Sequence, residues 1–372
     1  MAEPAYPAAR AIAPRMAVHF ANYPAGLAAP DAGVIETLID AAFWASLRRE
    51  EGVTPKISIA YISPDHTGGP LLFGHALPPS AAALAKLAPA VERPGIHLGV
   101  WLIDGELCVW GTTRDLPPHC FVIEVVTSGL LVVKERSQLM GKFVNVAVLE
   151  GDHVKFVDER TAQIPECPGV LQSLLGFGHP IGPAAGTDGI NVLVQLAASM
   201  RSHGRGGALL VTPSGSDEWL LSVITPMTYA LNPPFTALSH LIRSQGVTAA
   251  TSEAVDDMRH AVEGVAGLTA VDGAMVMNDA YDVLAFGVKI TRRKGGASVE
   301  RIVVTEPIEG SEHTIVAPGQ FGGTRHLSAA QFVHDQRDAT ALVASQDGRF
   351  TIFRWSDDED MVHAHRVEAL LL

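Results

Sequence analysis

The sequence predicts an α/β (α+β) protein: a C-terminal mixed sheet flanked by helices, preceded by a smaller, mainly antiparallel β domain with an N-terminal helix. Three observations predict it. Glycine-broken strand pairs follow one another between residues 97 and 159, helical and strand patterns mix after residue 188, and a Pro/Gly-rich stretch separates the two. At 372 residues, 47% of them apolar and 18% charged, the chain has material for two packed cores. The expected division is 1–160, a connector at 161–187, and 188–372.

Each element follows from its local pattern. The first 55 or so residues hold one convincing helix, VIETLIDAAFWASLRREEG, with apolar positions at helical spacing and Asp31 placed to open it. From Lys56, KISIAYISP alternates as a strand does. Three hairpins follow, HLGVWLI-DG-ELCVWGT, FVIEVVT-SG-LLVVKE and KFVNVAVLE-GD-HVKFVDE, each turned at a glycine. This unit closes near Arg160. In the connector, TAQIPECPGVLQSLLGFGHPIGPAAGT, one short helix is expected, and GFGHPIG is turn chemistry, because no strand precedes it as a phosphate loop requires.

Asp188 can cap the next helix, GINVLVQLAASMRSHG. The strand GGALLVTP follows, then EWLLSVI, then helices around PFTALSHLIRSQ and SEAVDDMRHAVEGVAG. VDGAMVM-ND-AYDVLAFGVKI reads as a strand pair, and a long polar insertion leads to GGTRHLSAAQFV, a helix entry. ATALVASQDGRFTIFRW makes a last hairpin before a short acidic-to-basic tail.

Composition excludes some functions. A formal charge of −13 argues against a nucleic-acid groove, which needs clustered Lys and Arg, although it leaves room for a local anion pocket. No run of about 18 apolar residues occurs, so no membrane span is expected. The Ala/Pro-rich start lacks a continuous apolar region, and no signal peptide is expected. Cys108, Cys120 and Cys167 fit neither a zinc spacing nor a disulfide framework. The expected address is the cytoplasm.

Most single candidates for chemistry are bland. His363 and His365, in the tail, lack further metal partners in sequence. Ser214 has no nucleophile-elbow glycines, and Asp357, Asp358, Glu359 and Asp360 read as a solvated turn or helix start. Two places carry more. Asp272, before Gly273 and Ala274, is either a plain Asp-Gly turn or a carboxylate with small neighbours that a ligand or metal can approach. In GGTRH, Gly322 and Gly323 permit close backbone approach and Thr324 adds a hydroxyl. Arg325 offers a forked donor and His326 a further one; the alternative is a helix entry with an exposed Arg and a packed His.

Taken together, DGA opening a strand and GTRH entering a helix, followed by a strand hairpin, resemble the diadenylate cyclase (DisA-type DAC) domain. HGRGGALLV and ATALVASQDG extend the resemblance, which covers roughly residues 185–356. The β unit ahead of it, through LCVWGTT, FVIEVVTSGLLVVK and KFVNVAVLEGD, looks like the DACNV-type sensor domain fused to some members. Three departures stand out. Leu327 replaces the second arginine of the family's RHR, Ser345, Gln346 and Asp347 replace Ser-Glu-Glu, and the segment between the motifs is long. Arg292, Arg293 and Lys294 in that segment are candidates to replace the lost arginine, or are simply solvated.

The resemblance implies a metal-dependent nucleotidyltransferase that condenses two ATP into cyclic di-AMP and releases pyrophosphate. Two protomers face each other, so a homodimer or larger even-numbered oligomer is implied. Asp272 would hold Mg2+ or Mn2+ near the 3′-hydroxyl, with Gly273 and Ala274 leaving room for the nucleotide. Thr324, Arg325 and His326, with the amides of Gly322 and Gly323, would bind the triphosphate; Ser345 and Asp347 would be secondary contacts. Two alternatives stay open: a nucleotide-binding sensor that kept the pocket with weak or no turnover, and a cyclase using another NTP.

Overall fold

A computed structural model describes residues 4–23, 26–49, 52–136, 143–158, 192–245, 252–346 and 348–372. The chain divides into two units, Met1–Val157 together with Leu372, and Asp158–Leu371. Both mix helices with a mixed sheet, in agreement with the predicted α+β class.

In the first unit, helix α1 (Pro7–His19) occupies the Ala/Pro-rich start, so the N-terminal region holds two helices and not one. Pro7 sits in the first turn, where its missing N–H costs nothing, and Ala9, Ile12, Ala13 and Met16 form a buried stripe at helical spacing. Helix α2 (Ala32–Ser46) starts where Asp31 accepts the Val34 amide at 2.8 Å, as the sequence predicts. Strands β1 (Ile57–Tyr61) and β2 (Leu71–Leu77) precede helix α3 (Ala81–Val91), which the sequence reading missed. The three expected hairpins are β3 (His97–Ile103) with β4 (Glu106–Thr113), β5 (Phe121–Thr127) with β6 (Leu130–Arg136), and β7 (Phe143–Glu150) with β8 (His153–Phe156).

The sheet runs β2-β4-β3-β1-β5-β6-β7-β8, with β1 parallel to β3 and antiparallel to β5. All five residues of β1 are buried, so it does not alternate between core and solvent as expected. Its central position in the sheet explains why. Ile57, Ile59 and Tyr61 pack on the core formed with α1 and α2, while Ala60 lies in a second cluster with Trp110 and Cys120.

In the second unit, helix α4 (Val192–Ser202) is the described part of the helix expected from Asp188; Asp188, Cys167 and the connector lie outside the described residues. Strand β9 (Gly207–Thr212) is GGALLVTP, whereas EWLLSVI forms a 3-10 turn at Glu218–Ser222. Strand β10 (Tyr229–Phe235) takes Pro234 and Phe235, which the sequence reading placed in a helix, and helix α5 (Ala237–Gln245) starts after it. Helix α6 (Ser252–Ala266) leads to the strand pair β11 (Ala274–Asn278) and β12 (Val283–Val288).

The polar insertion contains β13 (Ile302–Thr305), buried at all four residues, and β14 (Thr314–Val316). Helices α7 (Pro318–Phe321) and α8 (Thr324–Asp335) and the hairpin β15 (Thr340–Ala344) with β16 (Phe350–Ser356) follow. The tail is strand β17 (Met361–Arg366), followed by the short helix α9 (Glu368–Leu371). The nine-stranded order is β10-β12-β11-β9-β15-β16-β17-β13-β14, with β9–β11 and β13–β17 parallel. Helices α4 and α6 cover one face and α8 the other.

A candidate anion-binding cleft

A cleft of about 710 Å³ opens at the ends of the central strands of the second sheet, a volume in the range of small-molecule sites. Its walls come from the start of β11, the end of β12, the first turn of α8, the β15–β16 turn and the end of β17. Asp272, Gly273 and Ala274 line it, and so do Gly322, Gly323, Thr324, Arg325, His326 and Ser345. Asp347 lies outside the described residues.

Gly273 has φ +128°, and a Cβ there would sit 2.5 Å from the carbonyl carbon of Gly287. Glycine is therefore required for β11 to approach β12, a packing reason beside the expected room for a nucleotide. Asp272, next to it, is 92% exposed and pairs with Lys289 Nζ at 2.7 Å. The hydrogen bond and charge of Lys289, with a smaller effect of Arg325, hold its carboxyl below the usual carboxylate range.

Gly323 is the N-cap of helix α8; its backbone is extended and it supplies no side-chain cap. The His326 amide donates to the Gly323 carbonyl at 3.0 Å, the Thr324 and Arg325 amides before it receive no side-chain cap, and the helix dipole adds positive potential there. Gly322 has a different job. A Cβ there would fall 2.6 Å from His326 Cγ, so the missing side chain makes room for the imidazole. That ring is 7% exposed and stands edge-on to Phe321 and Phe353, with centroids at 5.7 and 6.0 Å. His326 thus packs as well as lining the cleft, the feature the alternative reading expected. Arg325 reaches across to the residue before β9, where a Cβ on Gly206 would lie 3.0 Å from its Nη1. The Ser345 amide donates to the Arg349 carbonyl at 2.9 Å, closing the β15–β16 turn.

Three cleft cations escaped the sequence reading: Lys289, Arg349 and Arg366. Lys289 ends an apolar strand run, Arg349 follows the hairpin glycine and Arg366 ends the tail strand, and none of these places is a motif. The three candidates in the insertion do not line the cleft; Arg293 instead pairs with Glu218 at 3.4 Å, and its amide donates to Asp335 at 2.8 Å. Leu327 is 42% exposed and is also outside the lining. Among the described lining residues, Lys289, Arg325, Arg349 and Arg366 face one carboxylate, Asp272. The cleft is cationic in a chain whose net charge is −13.

Among the described residues no group of three or more His, Cys, Asp or Glu side chains is arranged to hold a metal ion. Asp272, the one carboxylate among the described lining residues, fits an ion of the magnesium type, which takes one or two carboxylates from protein and its other ligands from phosphates and water. His363 and His365, 1% exposed on β17, are core residues, and the His365 ring bonds Thr305 Oγ1 at 2.6 Å.

Residues 26–114 match the family described as the probable sensor domain DACNV. This domain occurs in diadenylate cyclase proteins. The DACNV segment runs from before α2 to the end of β4. It contains LCVWGTT but stops short of FVIEVVTSGLLVVK and KFVNVAVLEGD, so the likeness lies in the first half of the sheet and not across all three hairpins. No curated protein matches the chain. Among the described residues no helix is long and apolar enough to cross a membrane.

Proposed function

We propose that the second unit is a diadenylate cyclase-type nucleotidyltransferase, coupled in one chain to a DACNV sensor segment. The observation that carries this reading is the convergence of two sequence-distant motifs, DGA and GTRH, on one cationic cleft. Each 3′-hydroxyl oxygen attacks the other ATP's α-phosphorus, the bond to the β-phosphate breaks, the hydroxyl proton departs and pyrophosphate leaves. Done twice, this yields cyclic di-AMP. The chemistry needs alignment and charge neutralisation more than covalent help.

The chain's residues divide that work. Arg325 and the uncapped amides at Gly323 and Thr324 hold phosphate oxygens, and Thr324 adds its hydroxyl. His326, wedged between Phe321 and Phe353, fixes the helix entry that aims them. Ser345, in the cleft lining, is a secondary contact, and Asp347 beside it would be another. Asp272 would hold Mg2+ or Mn2+, which when bound polarises the phosphate and acidifies the hydroxyl. One cleft accommodates one ATP, so the complete site needs two protomers, a homodimer or a larger even-numbered assembly. The cytoplasm supplies the ATP this chemistry needs, and neither nucleic acid nor membrane has a part in it.

A second reading, a nucleotide sensor with little turnover or a cyclase of another NTP, draws on the Lys289–Asp272 ion pair and on Leu327. Incubation of the full chain with ATP and Mn2+ or Mg2+, followed by chromatography, separates them. Cyclic di-AMP and pyrophosphate are the expected products, with loss of at least about a hundredfold in Asp272→Asn. Measurable ATP binding without product from any NTP would overturn the enzyme and leave the sensor.

A further inference from the structure

Lys289 sits one residue past β12, where the backbone is pinned: its carbonyl accepts the Ile224 amide at 2.8 Å, and Ile290 bridges Val223. Its side chain is free to move by comparison, 51% exposed in the cleft, with Nζ 2.7 Å from Asp272 Oδ2. The contact sets a lysine on the one carboxylate among the described lining residues, where a divalent cation would have to bind. Its cationic neighbours make other contacts. Arg366 lies over the Phe321 ring at 5.3 Å from the centroid, and Arg325 runs beside Gly206. An ammonium on a four-carbon stem is a point charge with rotatable donors, able to exchange one oxygen partner for another by bond rotation.

We propose that Lys289 is a phosphate-binding residue held in reserve by Asp272, exchanging that carboxylate for a phosphate oxygen when a metal-bound nucleoside triphosphate enters the cleft. The proposal rests on the nucleotide reading of the same cleft. In the empty cleft Lys289 neutralises Asp272 and competes with metal. In the loaded cleft it adds a cationic contact to a triphosphate, at a site to which position 327 contributes no charge. A metal without nucleotide is therefore disfavoured, and metal and triphosphate bind cooperatively.

Calorimetric titration of the full chain with α,β-methylene ATP in Mg2+ tests this. Lys289→Met is expected to weaken binding at least about tenfold, and Lys289→Arg, which keeps the charge, by less than about threefold. Titration of Mn2+ alone, followed by electron paramagnetic resonance of the free ion, is expected to show tighter binding to Lys289→Met than to the unaltered chain. Lys289→Met that binds the analogue as tightly as the unaltered chain, or Mn2+ no more tightly, would overturn the role of Lys289 alone. Failure of the unaltered chain to bind the analogue would overturn the nucleotide reading itself, and this proposal with it.

Discussion

Gly273 and Gly322 look alike in sequence, each within a motif that lines the cleft, yet the space each leaves is filled differently. At Gly273 it is filled by the backbone of Gly287, at Gly322 by the His326 ring. Gly273→Ala must adopt a left-handed φ and also push β12 aside, and is expected to destabilise the second unit by about 2–4 kcal/mol. Urea unfolding is the check, and an unchanged midpoint would mean the strands relax freely around a methyl group. Leu327 changes meaning at this scale. By motif it is the missing charge; in the fold it faces solvent outside the cleft lining, and the cations in the cleft come from elsewhere.

At the level of elements, helix α8 leaves its capping position bare. A capping carboxylate would satisfy the first-turn amides, so Gly323→Asp is expected to hold or raise helix stability by a few tenths of a kcal/mol, roughly. The same carboxylate would occupy the amides assigned to phosphate and repel it, weakening binding of an ATP analogue by about tenfold or more. Thermal melting and calorimetry on one variant therefore move in opposite directions if the helix entry is an anion site; tight binding retained in Gly323→Asp would argue that α8 merely starts there. Strands β13 and β17 make a complementary point. Neither was recognised locally, because four apolar residues inside a polar insertion and a histidine-bearing tail carry little periodicity. They pair with one another in parallel and complete the sheet beyond β16.

Across the whole molecule, each unit buries a neutral histidine. His97 bonds Ser58 Oγ at 2.7 Å, and burial, modified by Glu124, Lys134 and Arg136, lowers its pKa to about 4. Burial first, then the charges of His363, His313 and Arg354, lowers His365 to about 3. In both cases the folded pKa lies below the unfolded value of 6.5, so the unfolded chain takes up the proton first as the pH falls. The associated stability is full above pH 6.5 and is lost between there and the folded pKa, about 2 kcal/mol per histidine between pH 7 and 5. Urea unfolding at those two pH values measures it, and the difference should shrink in His97→Gln and His365→Gln. An identical pH dependence in both variants would place the acid sensitivity elsewhere.

Local signals in the sequence were enough for the α+β class, the three N-terminal hairpins, the Asp31 cap, the β11–β12 pair and the helix entry at Thr324, because caps, turns and periodicity act over a few residues. They also picked out Asp272 and the GTRH run as unusual. Tertiary structure decided what local signals do not encode. It set β1 centrally and so buried both its faces, made core residues of His363 and His365, and turned the apparent tail into a paired strand. It also brought Lys289, Arg349 and Arg366 to Asp272 and Arg325 from separate strand ends. Charge acts through space and not along the chain. The potential of the cleft is set by which strands end side by side, and that order exists only once the sheet has formed.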